Sequence, residues 1–269
     1  MRRRDFMATV VGATGAAMTS ATAMPDEHGQ ENESAQQFYE LRRYHLQSSQ
    51  DRAMLDTYWK GAAVPAYNRL GVNPVGVFEP AEGTKEVGKV LYALLPYSSL
   101  QHMIDVRRKL PRDKKYQRAA EAYLSTPKND PAYERIESKL MIAFAGQPQL
   151  RVPELTKQDK PRLFELRTYE SHNEHKARLK VEMFNEAEMD LFLSLGFPPA
   201  VFHGDTVIGK LVPNLSYMLV YEDRKQRDAL WKKFINSEGW KKLSGVERYK
   251  NTVSKVHNWF MRPTDYSQL

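Results

Sequence analysis

The feature that most constrains the fold is an internal repeat. The stretch FYELRRY at 38–44 recurs as LFELRTY at 163–169, and its Glu, Leu, Arg and Tyr recur 125 positions later. Gly71 and Gly196 are separated by the same distance, and each follows a helical stretch. A repeat of this length indicates two copies of one folding unit, and it has to be interpreted before any local motif.

The pattern of apolar residues in each copy predicts a ferredoxin-like unit with the order β-α-β-β-α-β. In the first copy, alternating apolar residues predict strands and a three-to-four-residue apolar period predicts helices. The sheet of such a unit carries helices on one face only, so its other face must be covered. We therefore expect an α+β fold, with two tandem units packed sheet to sheet as a dimeric α+β barrel within one chain. The alternative is two separate units that each pair with another chain.

Composition predicts the boundaries of the two units, the linker and the tail. Residues 38–145 and 163–262 form the two ferredoxin-like units, and 146–162, with three prolines, links them. Residues 263–269 form a C-terminal tail. The polar, acidic stretch 24–37 is expected to be a disordered spacer because it carries too few apolar residues to pack.

The N-terminus predicts export. Arg3 and Arg4, followed by Asp5, Phe6 and Met7, fit the twin-arginine pattern. A short apolar run leads to an Ala-x-Ala cleavage motif that ends at Ala23. We expect residues 1–23 to be a twin-arginine signal peptide, which places the protein in the periplasm or outside the cell. No later stretch approaches the roughly 20 apolar residues that a membrane-spanning helix needs, so no membrane span is expected after cleavage.

Composition also excludes several kinds of chemistry. The chain has no Cys, so disulfides, thiolate nucleophiles, iron–sulfur clusters and Cys-based zinc sites are excluded. The formal net charge is +7, but the basic residues alternate with acidic ones, which does not favour nucleic-acid binding. No glycine-rich phosphate loop, G-x-S-x-G or H-E-x-x-H motif occurs.

The ELR-x-Y motif that opens each copy resembles the NIPSNAP family, which is part of the dimeric α+β barrel superfamily. The second copy is the closer match, through FELRTY at 164–169, KVEMFN at 180–185 and PNLSYML at 213–219. This resemblance covers nearly the whole mature chain and is that of exported bacterial members with two tandem domains. It implies the fold, but no activity that can be assigned to numbered residues. Fold relatives include cofactor-free monooxygenases, isomerases and haem enzymes, so the fold alone does not choose among them.

The first strand of each copy places Glu, Arg and Tyr on one face. These residues are Glu40, Arg42 and Tyr44 in the first copy and Glu165, Arg167 and Tyr169 in the second. A charged pair in a strand that packs on both sides is costly unless it is paired or bound. One interpretation is an internal ion pair that fixes strand register. The other is a polar patch that lines a ligand cavity, with Arg167 anchoring an anion and Tyr169 donating a hydrogen bond.

Lys180, Phe184 and Glu188 are spaced four apart on the long helix of the second copy, so they share one face. At α-helical spacing Lys180 and Glu188 are too far apart to pair directly. Either both reach solvent or both point to the sheet that carries Arg167. In the second case Glu188 would be a desolvated base with a raised pKa.

Four histidines are candidates for metal or haem ligands. His172 and His175 form an H-x-x-H turn, but no carboxylate partner supports a metal site, and the neighbouring Asn173 indicates a helix cap instead. His203 and His257 lie on predicted strands, where each is either a haem ligand or an ordinary core or edge histidine. No metal and no cofactor are therefore predicted, with haem as the minor alternative.

Three functions remain open. The first is an exported protein that binds a small anionic or aromatic ligand in a polar pocket of the second domain. The candidate ligand-binding residues are Glu165, Arg167, Tyr169 and Lys180, together with Glu40, Arg42 and Tyr44 of the first copy. The second is a cofactor-independent enzyme of monooxygenase or isomerase type, in which Glu188 or His172 transfers protons. The third is a structural or interaction protein with a filled barrel. The expected partner is a small molecule and not nucleic acid, and oligomerisation is left open.

Overall fold

The computed structural model describes residues 35–269. The predicted signal peptide and most of the predicted spacer lie outside the described residues. The end of the spacer is hydrogen-bonded to the rest of the chain: Gln37 N donates to the Pro148 carbonyl at 2.8 Å and Gln36 Nε2 to the Ala143 carbonyl at 2.5 Å. Residues 36 and 37 are therefore already hydrogen-bonded to the barrel just before the first strand.

The first unit has the expected order of elements. Its strands are β1 (Phe38–His45), β2 (Gly76–Pro80), β3 (Val90–Tyr97) and β4 (Arg135–Ala143). Between β1 and β2 lie α1 (Ser49–Tyr58), a π-helical turn (Trp59–Ala63) and α2 (Val64–Arg69). Between β3 and β4 lie α3 (Leu100–Lys109), α4 (Lys114–Ala119) and α5 (Glu121–Leu124).

The second unit repeats this order after a short helix α6 (Glu154–Lys157) in the linker. Its strands are β5 (Leu163–Glu170), β6 (Phe202–Ile208), β7 (Asn214–Tyr221) and β8 (Lys255–Pro263). Its helical segments are α7 (Glu174–Met183), a second π-helical turn (Phe184–Glu188), α8 (Met189–Ser194), α9 (Arg224–Asn236) and α10 (Glu238–Ser244). The two π-helical turns lie at equivalent positions of the repeat.

The eight strands form one closed antiparallel barrel in the order β1-β3-β2-β8-β5-β7-β6-β4. The units join where β2 pairs with β8 and β4 pairs with β6; for example, Pro80 lies opposite Met261 and Ile142 opposite Asp205. The open edges of one sheet are thus paired with those of the other, which removes the hazard of exposed strand edges. The prediction of a dimeric α+β barrel within one chain is confirmed.

Strand alternation divides the apolar residues into an interior core and two outer layers. Residues such as Leu41, Met141 and Phe164 fill the inside of the barrel. The opposite strand faces pack beneath the helices of their own unit, with Tyr44 in the first layer and Tyr217 in the second. The Glu-Arg-Tyr motifs lie on this helix-covered side and not inside the barrel.

The linker and tail pack against the barrel. Buried Gln147 donates from Nε2 to the carbonyls of Ala200 and Val201 at 2.9 and 3.1 Å. Gln268 N donates to the Val75 carbonyl at 2.9 Å, and Leu269 is fully buried. Among residues 35–269, no helix is long and apolar enough to cross a membrane.

Candidate functional site

Glu165, in the middle of β5, is the centre of a buried polar network. Its Oε1 accepts from Arg167 Nη1 and from Arg227 Nη2, each at 2.7 Å, and its Oε2 accepts from Tyr221 Oη and Trp231 Nε1, each at 3.1 Å. Burial alone would raise the pKa of Glu165, but the hydrogen bonds of Arg227 and the charge of Arg167 lower it. The carboxylate is therefore ionised, and both of its oxygens already accept hydrogen bonds from protein groups.

Arg167 is also occupied by neighbouring protein groups. Its Nε donates to Tyr169 Oη at 3.1 Å, its guanidinium lies 4.0 Å from the centre of the Trp231 ring, and Tyr169 Oη is 2.6 Å from Tyr217 Oη. These contacts match the interpretation of the motif as an internal ion pair. They place Arg167 beneath α9, away from the barrel interior.

The first unit has a simpler version of this network. Glu40 accepts two hydrogen bonds from Arg42, at 2.7 and 2.9 Å, and one each from Tyr97 and Ser138. Tyr44 packs edge-on against Trp59, with ring centroids 6.0 Å apart. Within residues 35–269, one arginine contacts Glu40 and two contact Glu165.

Lys180 and Glu188 form a buried ion pair, with Nζ 2.5 Å from Oε2 and exposures of 3% and 1%. The expectation that these residues are too far apart to pair is wrong. The turn Phe184–Glu188 is π-helical, and the wider turn brings Glu188 nearer to Lys180 than an unbroken α-helix would. Lys180 Nζ also lies over the Phe184 and Trp240 rings, at 4.8 and 5.5 Å. Both groups point inward and do not reach solvent.

The repeat supplies an internal comparison for this pair. At an offset of 125, Leu55 and Ala63 occupy the positions of Lys180 and Glu188, and both are fully buried. The same helix with the same π-helical turn therefore forms without the ion pair. A buried ion pair often adds little stability over apolar residues of similar size, so the fold itself does not require this one.

The histidines occupy different environments. His172 and His175 are exposed, and Asn173 caps α7 by accepting from Lys176 N at 2.9 Å. His203 is 3% exposed, and its Nδ1 lies 2.8 Å from Gln147 Oε1. Because Gln147 Nε2 already donates to two carbonyls, its oxygen must accept, so Nδ1 carries the hydrogen. Burial lowers the pKa of His203 to about 3, which keeps the ring neutral.

Haem does not fit at either strand histidine. His203 Nε2 is buried and has no hydrogen-bond partner in the part of the chain that the structure describes. Its ring lies between Phe144 and Tyr217, with centroids 5.6 and 5.4 Å away. The cavity that His203 borders has a volume of about 240 Å³, below the roughly 300 Å³ at which sites for drug-sized ligands begin. His257 Nε2 is bonded to Glu170. Within the described part of the chain, no group of three or more His, Asp or Glu could hold a metal ion.

A different cavity, of about 250 Å³, lies at one end of the barrel interior. We call it the mouth cavity. Strands of both units and the turn between β6 and β7 form its walls. Its lining residues are Leu41, Arg43, Tyr92, Glu137, Ser138, Lys139, Leu166, Thr168, Lys210, Leu211 and Trp259.

The barrel interior changes from apolar to polar at this end. Along β4, Met141 is followed at the next inward position by Lys139, and polar residues replace apolar ones in the same way along β5 and β7. Lys139 Nζ lies 2.9 Å from Ser216 Oγ and 3.3 Å from Thr168 Oγ1 and Asn214 Oδ1. The amine is thus held by three neutral oxygens.

Lys139 differs from the other cations that line the mouth cavity. Lys210 Nζ is 2.6 Å from Glu137 and Arg43 Nη2 is 2.6 Å from Glu86. Among the described residues, no carboxylate lies within salt-bridge distance of Lys139. Burial lowers the pKa of Lys139 to about 8, and the charge of Glu170 opposes part of this effect. The mouth cavity therefore holds one amine whose charge is not matched by direct contact.

Lys139, Thr168, Ser216 and Trp259 were not predicted as site residues from the sequence. One signal for Lys139 was present, since it shares the inward side of β4 with Met141 and Ala143, where an apolar residue is expected. The repeated motif could not reveal it, because Glu-Arg-Tyr faces the helices.

The sequence model of the NIPSNAP family matches residues 39–145 and 164–268. No curated protein matches the sequence.

Three solved structures are similar to this chain. A protein from Fusobacterium nucleatum subsp. nucleatum ATCC 25586, proposed to be a monooxygenase, is 8% identical with a TM-score of 0.53, over 85% of this chain and 93% of that chain. One from Lactobacillus acidophilus NCFM, with the same proposed activity, is 8% identical with a TM-score of 0.52, over 85% and 94%. A NIPSNAP family protein from Agrobacterium tumefaciens str. C58 is 18% identical with a TM-score of 0.36, over 40% and 91%. At 8% identity, the similarity to the first two structures concerns the fold alone.

Proposed function

Since the chain belongs to the NIPSNAP family, whose fold alone assigns no activity, we propose that it is an exported protein that binds a small anionic or aromatic ligand in the mouth cavity. The observation that carries this proposal is the amine of Lys139, which faces a cavity and, among residues 35–269, has no carboxylate in contact. This position differs from the one expected from the sequence. Arg167 is unsuited to anchor a ligand because Glu165, Tyr169 and Trp231 already contact it.

The walls of the mouth cavity favour an aromatic or short aliphatic body. Leu41, Leu166 and Trp259 supply apolar surface, and Trp259 is stacked on His257 with ring centroids 5.6 Å apart. The volume of about 250 Å³ lies below the roughly 300–1,000 Å³ typical of drug-sized ligands. A molecule with a single ring suits this space.

The charges of the lining favour an acidic head group. Three cations and one carboxylate line the mouth cavity: Arg43, Lys139, Lys210 and Glu137. Because Arg43 and Lys210 already contact carboxylates, Lys139 is the cation left for a ligand. A carboxylate beside a partly buried ammonium gains a charge-assisted hydrogen bond.

A second candidate function is acid–base catalysis at Lys180 and Glu188, as in an enzyme of monooxygenase or isomerase type. The observation in its favour is that the first unit has Leu55 and Ala63 at these positions. The mouth cavity does not include either residue, so substrate would need another route to Glu188.

The proposal is tested by ¹⁹F NMR of the full chain labelled with 5-fluorotryptophan, titrated with benzoate, benzyl alcohol and benzylamine. The chain has four tryptophans, and Trp259 lines the mouth cavity whereas Trp59, Trp231 and Trp240 pack in the helix layers. Benzoate should shift the Trp259 resonance saturably and leave the other three in place. Trp259→Phe assigns the resonance.

Charge selectivity is tested with Lys139→Met. This variant should weaken benzoate binding by about tenfold, which corresponds to one lost charge-assisted hydrogen bond of roughly 1.4 kcal/mol. Lys232→Met, the same change on the exposed surface of α9, serves as the control and should bind like wild type. No Trp259 shift with any probe, or equal shifts of all four resonances, would contradict the proposal.

A further inference from the structure

Lys139 has the surroundings of a reactive amine. Its Nζ lies inside the barrel and borders a cavity, and its hydrogen-bond partners are the neutral oxygens of Ser216, Thr168 and Asn214. A lysine amine desolvated in this way is the type that proteins use to form imines with carbonyl compounds. Lysines that only bind anions or stabilise a fold do not need a neutral form.

The charged groups around the amine are placed on several strands. Glu137 on the same strand is bonded to Lys210, Arg43 on β1 is bonded to Glu86, and Glu170 on β5 is bonded to His257 on β8. Each nearby carboxylate therefore has its own cationic or histidine partner. The depressed pKa of Lys139 is consistent with this arrangement, since burial dominates over the charge of Glu170.

The neutral amine is accessible near physiological pH. With its pKa lowered to about 8, roughly a quarter of Lys139 is unprotonated at pH 7.5, against roughly one in a thousand for an exposed lysine. Only the unprotonated form carries the lone pair that attacks a carbonyl carbon. The expected difference in reactivity between Lys139 and an exposed lysine therefore follows from the burial of the Lys139 amine.

We propose that Lys139 forms a reversible imine with small aromatic or acidic carbonyl compounds in the mouth cavity, an inference that rests on the proposed ligand-binding function. The lone pair of Nζ forms a bond to the carbonyl carbon, and the C=O π electrons move to oxygen. A proton passes from nitrogen to that oxygen and gives a carbinolamine. The hydroxyl then leaves as water with the second proton of the nitrogen, and the nitrogen lone pair forms the C=N bond. Addition of water reverses the sequence, and no oxidant or reductant takes part.

Two hydroxyls are positioned to move these protons. Ser216 Oγ and Thr168 Oγ1 lie 2.9 and 3.3 Å from Nζ and are 2.6 Å from each other. A pair of hydroxyls can accept a proton from nitrogen and donate one to oxygen at the same time. The apolar walls formed by Leu41, Leu166 and Trp259 would hold the organic part of the ligand.

The test is reductive trapping of the full chain with 4-formylbenzoate and sodium cyanoborohydride at pH 7.5, followed by intact mass and peptide mapping. Lys139 should be labelled at least about tenfold faster than exposed Lys232, because far more of it is neutral. Lys139→Arg keeps a cation but cannot form an imine, so it should lose the fast adduct, whereas Lys232→Arg should keep it. Benzoate in excess should slow labelling of Lys139 alone.

Each outcome decides the question. Labelling spread evenly over surface lysines, or a fast adduct on a lysine side chain that persists in Lys139→Arg, would overturn the inference. If benzoate shifts the Trp259 resonance but Lys139 is not trapped, the imine is wrong and ligand binding stands. If benzoate neither shifts Trp259 nor slows labelling, the ligand-binding proposal fails as well. Peptide mapping of wild type locates the adduct even if Lys139→Arg does not fold.

Discussion

Lys139 Nζ on β4 of the first unit donates to Ser216 Oγ on β7 of the second unit at 2.9 Å. These strands are not neighbours, because β6 lies between them in the barrel. The hydrogen bond therefore crosses the interior surface from one copy of the repeat to the other. The mouth cavity exists only because the two sheets close on each other.

The first prediction concerns the stability of the barrel as a function of pH. Burial lowers the pKa of Lys139 from 10.5 to about 8. Between these values the unfolded chain holds a proton that the folded chain has lost, so Lys139 makes the free energy of unfolding rise with pH. Relative to Lys139→Met, wild type should gain about 1–3 kcal/mol between pH 8 and 10.5, measured by urea denaturation.

The same variant also tests the cost of the buried charge at neutral pH. Lys139→Met should be as stable as wild type or more stable at pH 7, because a partly desolvated ammonium is removed. Lys232→Met should show no such pH-dependent difference. Parallel pH curves for wild type and Lys139→Met would mean that the amine titrates like an exposed lysine.

The second prediction concerns the buried pair of Lys180 and Glu188. Glu188→Ala leaves the Lys180 ammonium buried without its counter-ion, and the expected loss is about 3–5 kcal/mol. The double variant Lys180→Leu with Glu188→Ala copies Leu55 and Ala63 of the first unit and should recover most of that loss. Urea denaturation of the two single variants and the double variant gives the coupling energy. Losses that simply add in the double variant would show that the pair is not coupled.

A third prediction compares the two strand motifs. Glu165 contacts two arginines, whereas Glu40 contacts one. Glu165→Gln should therefore cost about 3 kcal/mol and Glu40→Gln about 1–2 kcal/mol in unfolding free energy at pH 7. Equal losses would contradict the difference between the two networks.

The dependence of the free energy of unfolding on acidic pH provides a further check on these carboxylates. Although burial opposes the effect, arginine contacts lower the pKa of both Glu165 and Glu40 below 4.5. Their stabilising contribution is thus present above the ordinary carboxyl pKa and is lost as pH falls through the lowered values. Each Gln variant should show a shallower loss of stability than wild type on acidification below pH 4.5.

The fourth prediction tests export. Replacing Arg3 and Arg4 together by Lys should prevent cleavage after Ala23 and leave the protein in the cytoplasm, because twin-arginine signals require both arginines. Arg2→Lys lies just outside the pair and serves as the matched control. Cell fractionation and N-terminal sequencing read out both variants. Normal cleavage of the double variant would show that another route is used.

Much of the fold could be predicted from the sequence because the local strand and helix patterns agreed with the internal repeat. Alternation predicted β1 and β5, and Asn173 caps α7 as its position suggested. Strand β6 (Phe202–Ile208) does not follow from local propensity alone. Its residues Gly204 and Asp205 have low β-propensity, and their pairing with β4 and β7 holds them in the strand.

The candidate site followed from the sequence only in part. Glu165 and Arg167 were identified, but their partners Arg227 and Trp231 lie on a helix more than fifty residues away in the chain. The π-helical turn at Phe184–Glu188 carries no sequence signal that we recognise. The mouth cavity requires residues of both units, so only closure of the barrel brings Lys139 and Ser216 together.

The most direct measurement of the central claim is a crystal structure of the full chain soaked with 4-bromobenzoate. The account predicts an anomalous bromine peak inside the mouth cavity, near Leu41, Leu166 and Trp259, with the carboxylate within hydrogen-bond distance of Lys139 Nζ. A mouth cavity without bromine, in crystals where the compound binds beside Arg167 or only on the surface, would contradict it.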